Sequence, residues 1–164
     1  MSLPEKIFKE IVASTPLISI DLIVRDTQGK VLLGKRTNRP AQGYWFVPGG
    51  RILKDESIEL AFKRLLIDEL GLDFSAVKTS FIGTYQHFYD DNFFDSAFST
   101  HYVVLAYQII LQNDLASIPN EQHSSYNWFS ENELLNDDNV HLYSKWYFQK
   151  GQHADDTLLS KLPI

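Results

Sequence analysis

The chain has 164 residues, of which 44% are hydrophobic and 22% charged, and it contains no cysteine. This composition is typical of a globular protein and excludes a disulfide framework, a thiolate zinc site and a thiol nucleophile. The net charge of −6 argues against a basic surface for nucleic acid or anionic membrane. No apolar run approaches the roughly 20 residues of a membrane span, and no signal-peptide pattern is present. We expect one cytoplasmic domain over residues 1–164, without nucleic-acid or membrane partners.

The first half of the chain is predicted to contain two helices and a hairpin. Apolar residues recur at helical spacing from 4 to 13, which predicts a short helix. Residues 17–25 and 31–36 alternate apolar and polar side chains on either side of a glycine-containing turn, which predicts a β-hairpin. Residues 57–70 carry the clearest apolar stripe of a helix, and Gly71 is placed to end it.

The second half adds strands and helices. The predicted strands are 81–88, 101–111 and 126–129, with a loop at 89–99 between the first two. Ser130 and Glu133 have the spacing of a capping box, so a helix should follow them. The aromatic segment 140–150 predicts a C-terminal helix packed on the sheet. Strands interleaved with helices indicate an α/β (α+β) fold with a mixed sheet between helical layers.

One carboxylate lies where the helix at 57–70 should be apolar. Glu69 follows Leu65 by four positions and Phe62 by seven, so it shares their core-facing stripe. Burying an unpaired carboxylate costs on the order of several kcal/mol, so an ion pair, a proton or a cation must compensate. From this helix alone, a partly exposed glutamate bonded to a neighbour is the alternative interpretation.

An ordered pattern of glycine, acidic and basic residues surrounds this carboxylate. The pattern runs through Gly50, Glu56, Arg64, Asp68, Glu69 and Gly71. Over residues 50–72 it resembles the Nudix box, a loop and helix that hold a divalent cation against a nucleotide diphosphate. The resemblance implies a single Nudix-type domain, an α/β/α sandwich with a mixed β-sheet between helices.

The same resemblance implies a metal site. Magnesium prefers hard oxygen ligands and usually takes one or two protein carboxylates. In a Nudix site Glu69 would be the principal ligand, beside the backbone carbonyl of Gly49. Arg64 should hold the acidic end of the helix through Asp68, four residues later. Glu56 either lies in the first helical turn, where the helix dipole favours an acid, or supports the metal-binding loop.

Leu65 departs from the box, which normally has glutamate directly after the arginine. Without that carboxylate the site has less negative charge to gather several cations. We therefore expect one ion per subunit, Mg²⁺ with Mn²⁺ as the alternative. In ordinary Nudix enzymes the acidic cluster helps water to attack phosphorus. The substitution predicts either an inactive protein or a water and a base that lie elsewhere.

Longer stretches resemble one Nudix subfamily, the GDP-mannose mannosyl hydrolases, which also carry leucine after the box arginine. The matching segments are 34–51, 86–93, 100–104, 119–123 and 138–141. The resemblance implies that water attacks C1 of the sugar, the C–O bond breaks, and GDP leaves with inversion. It also implies a homodimer and a GDP-sugar substrate, and leaves GDP-mannose against GDP-glucose open.

The resemblance identifies His123 as the base that accepts the proton of the attacking water. An imidazole with an ordinary pKa of about 6.5 suits this role near neutral pH. Gln122 is implied as the third metal ligand, with Gly49 and Glu69. Adjacent residues of a strand point to opposite faces, so both can act at one site only from a loop. Apart from the family pattern, His123 resembles an ordinary surface-loop histidine.

Four further residues are implied in catalysis. Arg36 and Arg51 should bracket the diphosphate, because guanidinium groups match phosphate oxygens. Tyr102 is implied as a donor to the leaving phosphate, with a buried core tyrosine as the alternative. Asp21 interrupts an apolar strand and is implied to contact the substrate, with an edge-strand aspartate as the alternative.

Three aromatic residues complete the implied substrate site. Phe8 belongs to a segment that reaches toward the partner's nucleotide in the subfamily, or else covers its own core. His87 and Tyr89 are assigned to the sugar pocket or its loop. Two other functions stay open. A pyrophosphohydrolase that cuts P–O–P is disfavoured by Leu65, and a non-catalytic nucleotide-sugar sensor can be excluded only by turnover.

Overall fold

The computed structural model describes residues 3–113 and 123–149, without the side chains of residues 76, 123 and 124. The α-helices of this part are α1 (Glu5–Ser14), α2 (Ile58–Leu70), α3 (Glu131–Asn136) and α4 (Leu142–Trp146). The strands are β1 (Leu17–Arg25), β2 (Val31–Arg36), β3 (Trp45–Phe46), β4 (Gly49–Arg51), β5 (Val77–Tyr89), β6 (Thr100–Leu111) and β7 (His123–Phe129). In this part of the chain, none of the helices has the length and apolar character of a membrane span.

The strands form one seven-stranded mixed sheet. Its main path is β3-β2-β1-β6-β5, with β4 paired to β1 and β7 paired to β2. β1 and β6 are parallel, whereas β5 and β6 are antiparallel along almost their whole length. β1 therefore lies inside the sheet, with neighbours on both sides.

The hairpin strands β1 and β2 separate as they leave their turn. They pair at Arg25 and Val31, next to that turn. Further along, β3 pairs with β2, while residues 19–21 of β1 pair with β4. The short segment 45–51 thus crosses from one hairpin strand to the other and fills the fork between them. This crossing places the glycine backbone of β4 beside residues 19–21 of β1, where the two hairpin strands separate.

The two faces of the sheet carry separate apolar cores. α2 packs Ala61, Phe62, Leu65, Leu66 and Leu70 on one face, against apolar side chains of β1, β2 and β6. On the other face, Leu134 of α3 and Tyr143 of α4 pack against Ile23, Val31, Leu33 and Val104. The predicted mixed sheet between helical layers is confirmed.

Most predicted elements are present, with changes at their ends. α2 begins after Ser57, whose hydroxyl accepts from the backbone N–H of Leu60, and ends at Gly71, whose φ is 66°. Ser130 and Glu133 form the predicted capping box. The predicted C-terminal helix is shorter than 140–150, because residues 147–149 form turns after α4. β3 and β4 were not predicted, since two or three residues carry no periodicity.

Candidate active site

A cavity of about 530 Å³ opens at the fork between β1 and β2. Its floor is β4 and the segment before it, and α1 and the loop after β5 form one wall. Eight residues predicted to act on the substrate or metal line it: Phe8, Asp21, Arg36, Gly49, Arg51, His87, Tyr89 and Tyr102. These residues come from α1 and five different strands, and the fold brings all of them together.

Three arginines line the cavity, Arg36, Arg39 and Arg51; Arg39 forms an ion pair with Asp91, and the other two make the cavity suitable for an anion. The pairing of β2 with β7 changes register between Gly34 and Arg36. Such irregularities change the direction in which a side chain points. Its Nε donates to the carbonyl of Pro40 at 2.9 Å, which fixes the guanidinium. Arg51 lies over the Phe8 ring, 4.0 Å from its centroid. Burial lowers the pKa of Arg51. These two guanidinium groups supply local positive charge in a protein of net charge −6.

Phe8 was predicted either to reach toward the nucleotide of a partner subunit or to cover its own core. Its ring packs edge-on to Phe94 at 5.6 Å and lines the cavity of its own chain. α1 therefore covers the site of the same chain that carries it.

The hydroxyl and imidazole groups of the cavity are neutral at physiological pH. Burial raises the pKa of Tyr102, although Arg51 and Arg36 oppose the rise, so the phenol keeps its proton and can donate. His87 is 2% exposed, and burial lowers its pKa to about 3. Its ring stacks on Tyr143 with centroids 4.2 Å apart. The cavity thus combines fixed cations with uncharged hydrogen-bonding groups.

Asp21 lies between β4 and β6 in the interior of the sheet, so the edge-strand alternative is wrong. The side chain is 7% exposed, and Oδ2 accepts a hydrogen bond from the Tyr147 hydroxyl at 2.5 Å. Burial raises the Asp21 pKa to about 7, against the lowering effects of Tyr147 and Arg36. A carboxyl group in this state is costly to the fold and typical of a functional site.

Asp21→Asn should stabilise the metal-free protein increasingly as pH rises. The unfolded carboxyl loses its proton near pH 4, whereas the folded one keeps it to about pH 7. The wild type therefore loses stability between these values, and the loss levels off above pH 7. We expect the variant to gain on the order of 2–4 kcal/mol relative to wild type between pH 4.5 and 8. Urea unfolding in EDTA at both pH values measures this gain, and a difference independent of pH would contradict it.

The Gly49-Gly50 pair is required by close packing on both sides. A Cβ on Gly49 would lie 2.4 Å from the carbonyl oxygen of Ile20 and 2.9 Å from Oδ1 of Asp21. A Cβ on Gly50 would lie 2.6 Å from Cδ2 of Leu65. Leu65 itself is buried in the α2 core. Leu65, which departs from the Nudix box, therefore packs against β4 on the face of the sheet that α2 covers.

Glu69 is buried, as its place on the helical stripe predicts, with 2% of the residue exposed. It does not line the cavity but lies one turn beyond Leu65 on α2. Its negative charge contributes to the rise of the Tyr126 pKa to about 12, an effect due first to burial of that phenol. Tyr126 of β7 is therefore a neighbour of the predicted metal ligand.

These residues offer ligands of the kind that a hard divalent cation takes. The buried Glu69 carboxylate and the Gly49 backbone carbonyl are oxygen donors, the ligand type that Mg²⁺ prefers. Within the described residues, no group of three or more His, Asp or Glu side chains is arranged to hold a metal.

Arg64 connects the box loop to α2. Its Nε and Nη2 donate to the two carboxylate oxygens of Glu56 at 2.7 and 2.9 Å, and Nη2 also donates to the carbonyl of Arg51 at 2.9 Å. Its contact with Asp68 is longer, at 3.5 Å. Glu56 precedes the helix and also accepts from the backbone N–H of Leu53. The loop-support role of Glu56 is the one observed, and the first-turn role is wrong.

Glu56→Gln should loosen this loop and lower both stability and activity. The substitution keeps the shape but removes the charge from the bonds to Arg64, at a cost of about 1–3 kcal/mol. Activity should fall because the Arg64 guanidinium that binds Glu56 also donates to the backbone carbonyl of Arg51, so the position of Arg51 depends on the same contact. Glu59→Gln is the matched control, since Glu59 pairs with Lys63 on the exposed helix surface and its loss should have little effect on stability. Equal losses in the two variants, measured by urea unfolding, would contradict the loop-support role.

The predicted base and third ligand lie at the edge of the described residues. The backbone of His123 begins β7 and pairs with Arg36, so the prediction that His123 lies in a loop is wrong. The pairing places the His123 backbone beside one of the cavity arginines. Gln122 lies outside the described residues, and the proposed roles of both side chains stay predictions.

Two features of the site were not predicted from the sequence. Tyr147, after α4, donates to Asp21, and its hydroxyl lies 3.3 Å from Nε2 of His87. The loop after β5 is organised by Asn92, whose side chain bonds to Asp95, to the backbone N–H of Phe94 and to the carbonyl of Phe98. The aromatic segment near the C-terminus and the aspartate- and asparagine-rich loop are the only sequence signals of these contacts.

The overall architecture matches solved structures of MutT and NUDIX proteins. The MutT protein from Methanosarcina mazei Go1 superposes with a TM-score of 0.61 at 21% identity, covering 82% of this chain and 92% of that one. The NUDIX domain of Shewanella oneidensis NrtR, solved with ADP ribose, gives 0.61 at 21% identity, covering 89% and 97%. At this identity the similarity establishes the fold.

Sequence comparison establishes the family. The family model described as NUDIX domain matches residues 15–149, so this chain belongs to the Nudix family and is a Nudix hydrolase. The low-salt glycan biosynthesis protein Agl8 of Haloferax volcanii is 40% identical over 127 residues, which cover 77% of this chain and 79% of Agl8. Nudix hydrolases generally use a divalent cation such as Mg²⁺, in agreement with the oxygen donors described above.

Proposed function

We propose that this Nudix hydrolase cleaves GDP-mannose to GDP and mannose, by attack of water at the anomeric carbon with inversion. One observation carries the proposal. The cavity beside Gly49 contains Arg36 and Arg51, a neutral tyrosine, and the buried side chains of an aspartate and a histidine, whereas Leu65 occupies the helix position of the usual second carboxylate. The 40% identity to a protein of glycan biosynthesis supports a sugar-containing substrate.

The phosphate end of the substrate would bind between the arginines. Arg36 and Arg51 line the same cavity, and their guanidinium groups suit the oxygens of a diphosphate. Tyr102, which keeps its proton, would donate to the phosphate oxygen on which charge develops as the bond breaks. The bound cation, held by Glu69, the Gly49 carbonyl and Gln122, would add stabilisation of the same departing charge.

The sugar would lie toward Asp21, His87 and Tyr89. A buried carboxylate and a neutral imidazole can bind sugar hydroxyls and stabilise positive charge that develops at C1. In the proposed step, water oxygen forms a bond to C1, the C1–O bond breaks, and its electron pair leaves with GDP. The proton of the water passes to His123, on the side opposite to the leaving group. We propose a homodimer in which each subunit carries one such site.

The experiment that tests this function identifies both products. Purified protein is incubated with GDP-mannose and Mg²⁺, the nucleotides are separated by ion exchange, and the anomer of the free sugar is followed by proton NMR. We expect GDP and, at early times, β-mannose from the α-linked substrate. GMP with mannose 1-phosphate would identify a conventional pyrophosphohydrolase instead. Absence of turnover with GDP-mannose and with GDP-glucose would favour a nucleotide-sugar sensor.

A further inference from the structure

We propose that Tyr147 is a positioning residue of this site, which holds the Asp21 carboxylate and selects one tautomer of His87. The inference rests on the proposed function in so far as Asp21 and His87 contact the sugar. It concerns a residue outside the segments that resemble the mannosyl hydrolase subfamily and outside the cavity lining. It is carried by the hydrogen bonds of a single buried hydroxyl group.

The geometry joins three elements that are distant in sequence. The Tyr147 hydroxyl donates to Oδ2 of Asp21 in β1 at 2.5 Å and lies 3.3 Å from Nε2 of His87 in β5. Its ring packs edge-on against Tyr85, with centroids 4.8 Å apart. Because Tyr147 occupies Oδ2, the other oxygen of Asp21 is left to face Gly49, where a Cβ would approach it to 2.9 Å. The hydroxyl thus fixes which carboxylate oxygen is turned toward β4.

A phenol has one proton, and this determines the direction of the hydrogen bonds. At pH 8, above the Asp21 pKa of about 7, the carboxylate is ionised and can only accept, so the Tyr147 proton must be directed to it. The Tyr147 oxygen can then only accept from His87, which requires the proton of the neutral imidazole to be on Nε2. Nδ1 of His87 is left as an acceptor. The chain His87 Nε2–H to Tyr147 O–H to Asp21 therefore sets the hydrogen-bonding state of both residues assigned to the sugar.

Tyr147→Phe removes the hydroxyl but keeps the ring, so the fold should be retained. We expect kcat to fall roughly 10- to 100-fold, because a small displacement of groups that contact the reacting sugar is costly in rate. Binding of GDP, which makes no use of the sugar subsite, should change less than about twofold. Tyr107→Phe is the matched control, since Tyr107 packs on Phe62 and Phe81 on the other face of the sheet and should leave kcat unchanged.

A double-mutant cycle separates positioning from a general structural role. If Tyr147 acts through Asp21, adding Tyr147→Phe to Asp21→Asn should lower kcat by much less than it does in the wild type. Equal falls in the two backgrounds would overturn the proposal. So would a Tyr147→Phe variant with wild-type kcat, or one that loses GDP binding to the same extent as kcat.

A measurement without turnover keeps this inference distinct from the proposed function. Long-range proton–nitrogen NMR of ¹⁵N-labelled protein at pH 8 reports the tautomer of each of the five histidines, with His87 assigned through His87→Gln. We expect His87 with its proton on Nε2 in the wild type, and a loss of this preference in Tyr147→Phe. A proton on Nδ1 in the wild type would refute the hydrogen-bond chain, whatever reaction the enzyme catalyses. GMP as product with the expected tautomer would refute the function and leave the Tyr147 contact standing.

Discussion

His123→Gln is expected to lower kcat by roughly 10²–10⁴ while GDP and metal binding stay close to wild type. The reason is that the imidazole would take a proton only as water attacks carbon, so its loss affects the transition state and not the bound substrate. The pairing of the His123 backbone with Arg36 places its chain segment beside the cavity. Steady-state kinetics with GDP-mannose, together with calorimetric titration of GDP, measures both effects.

The control for this variant is His101→Gln. His101 stacks on the exposed Phe88 ring, with centroids 4.3 Å apart, and does not line the cavity. Its loss should leave kcat within about twofold of wild type, as for a group with no part in proton transfer. Unchanged turnover in His123→Gln, or an equal loss in both variants, would remove His123 from the mechanism.

Glu69→Gln should weaken metal binding and activity together. Glu69 is a buried carboxylate on α2, and we propose that it is the principal ligand of the cation. Groups that only support a metal ligand typically contribute 10–100-fold to metal affinity or activity, so loss of the ligand itself should cost at least roughly 10-fold. Titration with Mn²⁺ followed by electron paramagnetic resonance measures the affinity directly.

Asp68→Asn is the matched control for the metal site. Asp68 is adjacent to Glu69 in the sequence, but its side chain is 52% exposed and contacts Arg64 at 3.5 Å. Its loss should therefore leave the metal affinity within about twofold, as for other exposed ion pairs. A Glu69→Gln protein with normal metal affinity and normal rate would contradict the ligand assignment.

The elements that carry periodicity could be predicted from the sequence. The apolar stripe of α2, its end at Gly71 and the burial of Glu69 all follow from helical spacing, because one helical face is determined by residues three and four apart. The hairpin of β1 and β2 follows from alternation around a glycine turn. The eight cavity residues were predicted from a family resemblance, and periodicity alone would not have brought them together.

Other parts of the site depend on contacts that leave no local signal. The segment 45–51 pairs with two different strands, yet its strand pieces are too short to show alternation. Tyr147 and Asp21 are 126 residues apart, and an aromatic residue near the C-terminus gives no indication of a carboxylate partner. The sequence left open whether Glu56 lies in the first turn of α2 or before the helix, because a shift of the helix start by a few residues changes the answer. The observed start after Ser57 places Glu56 before the helix.

The central claim is that water attacks carbon and not phosphorus. The most direct test is phosphorus NMR of the products formed from GDP-mannose and Mg²⁺ in ¹⁸O-water. Attack at the anomeric carbon predicts GDP whose phosphorus signals show no ¹⁸O-induced shift. Label on a phosphate, with GMP and mannose 1-phosphate as products, would mean P–O cleavage and would contradict the account.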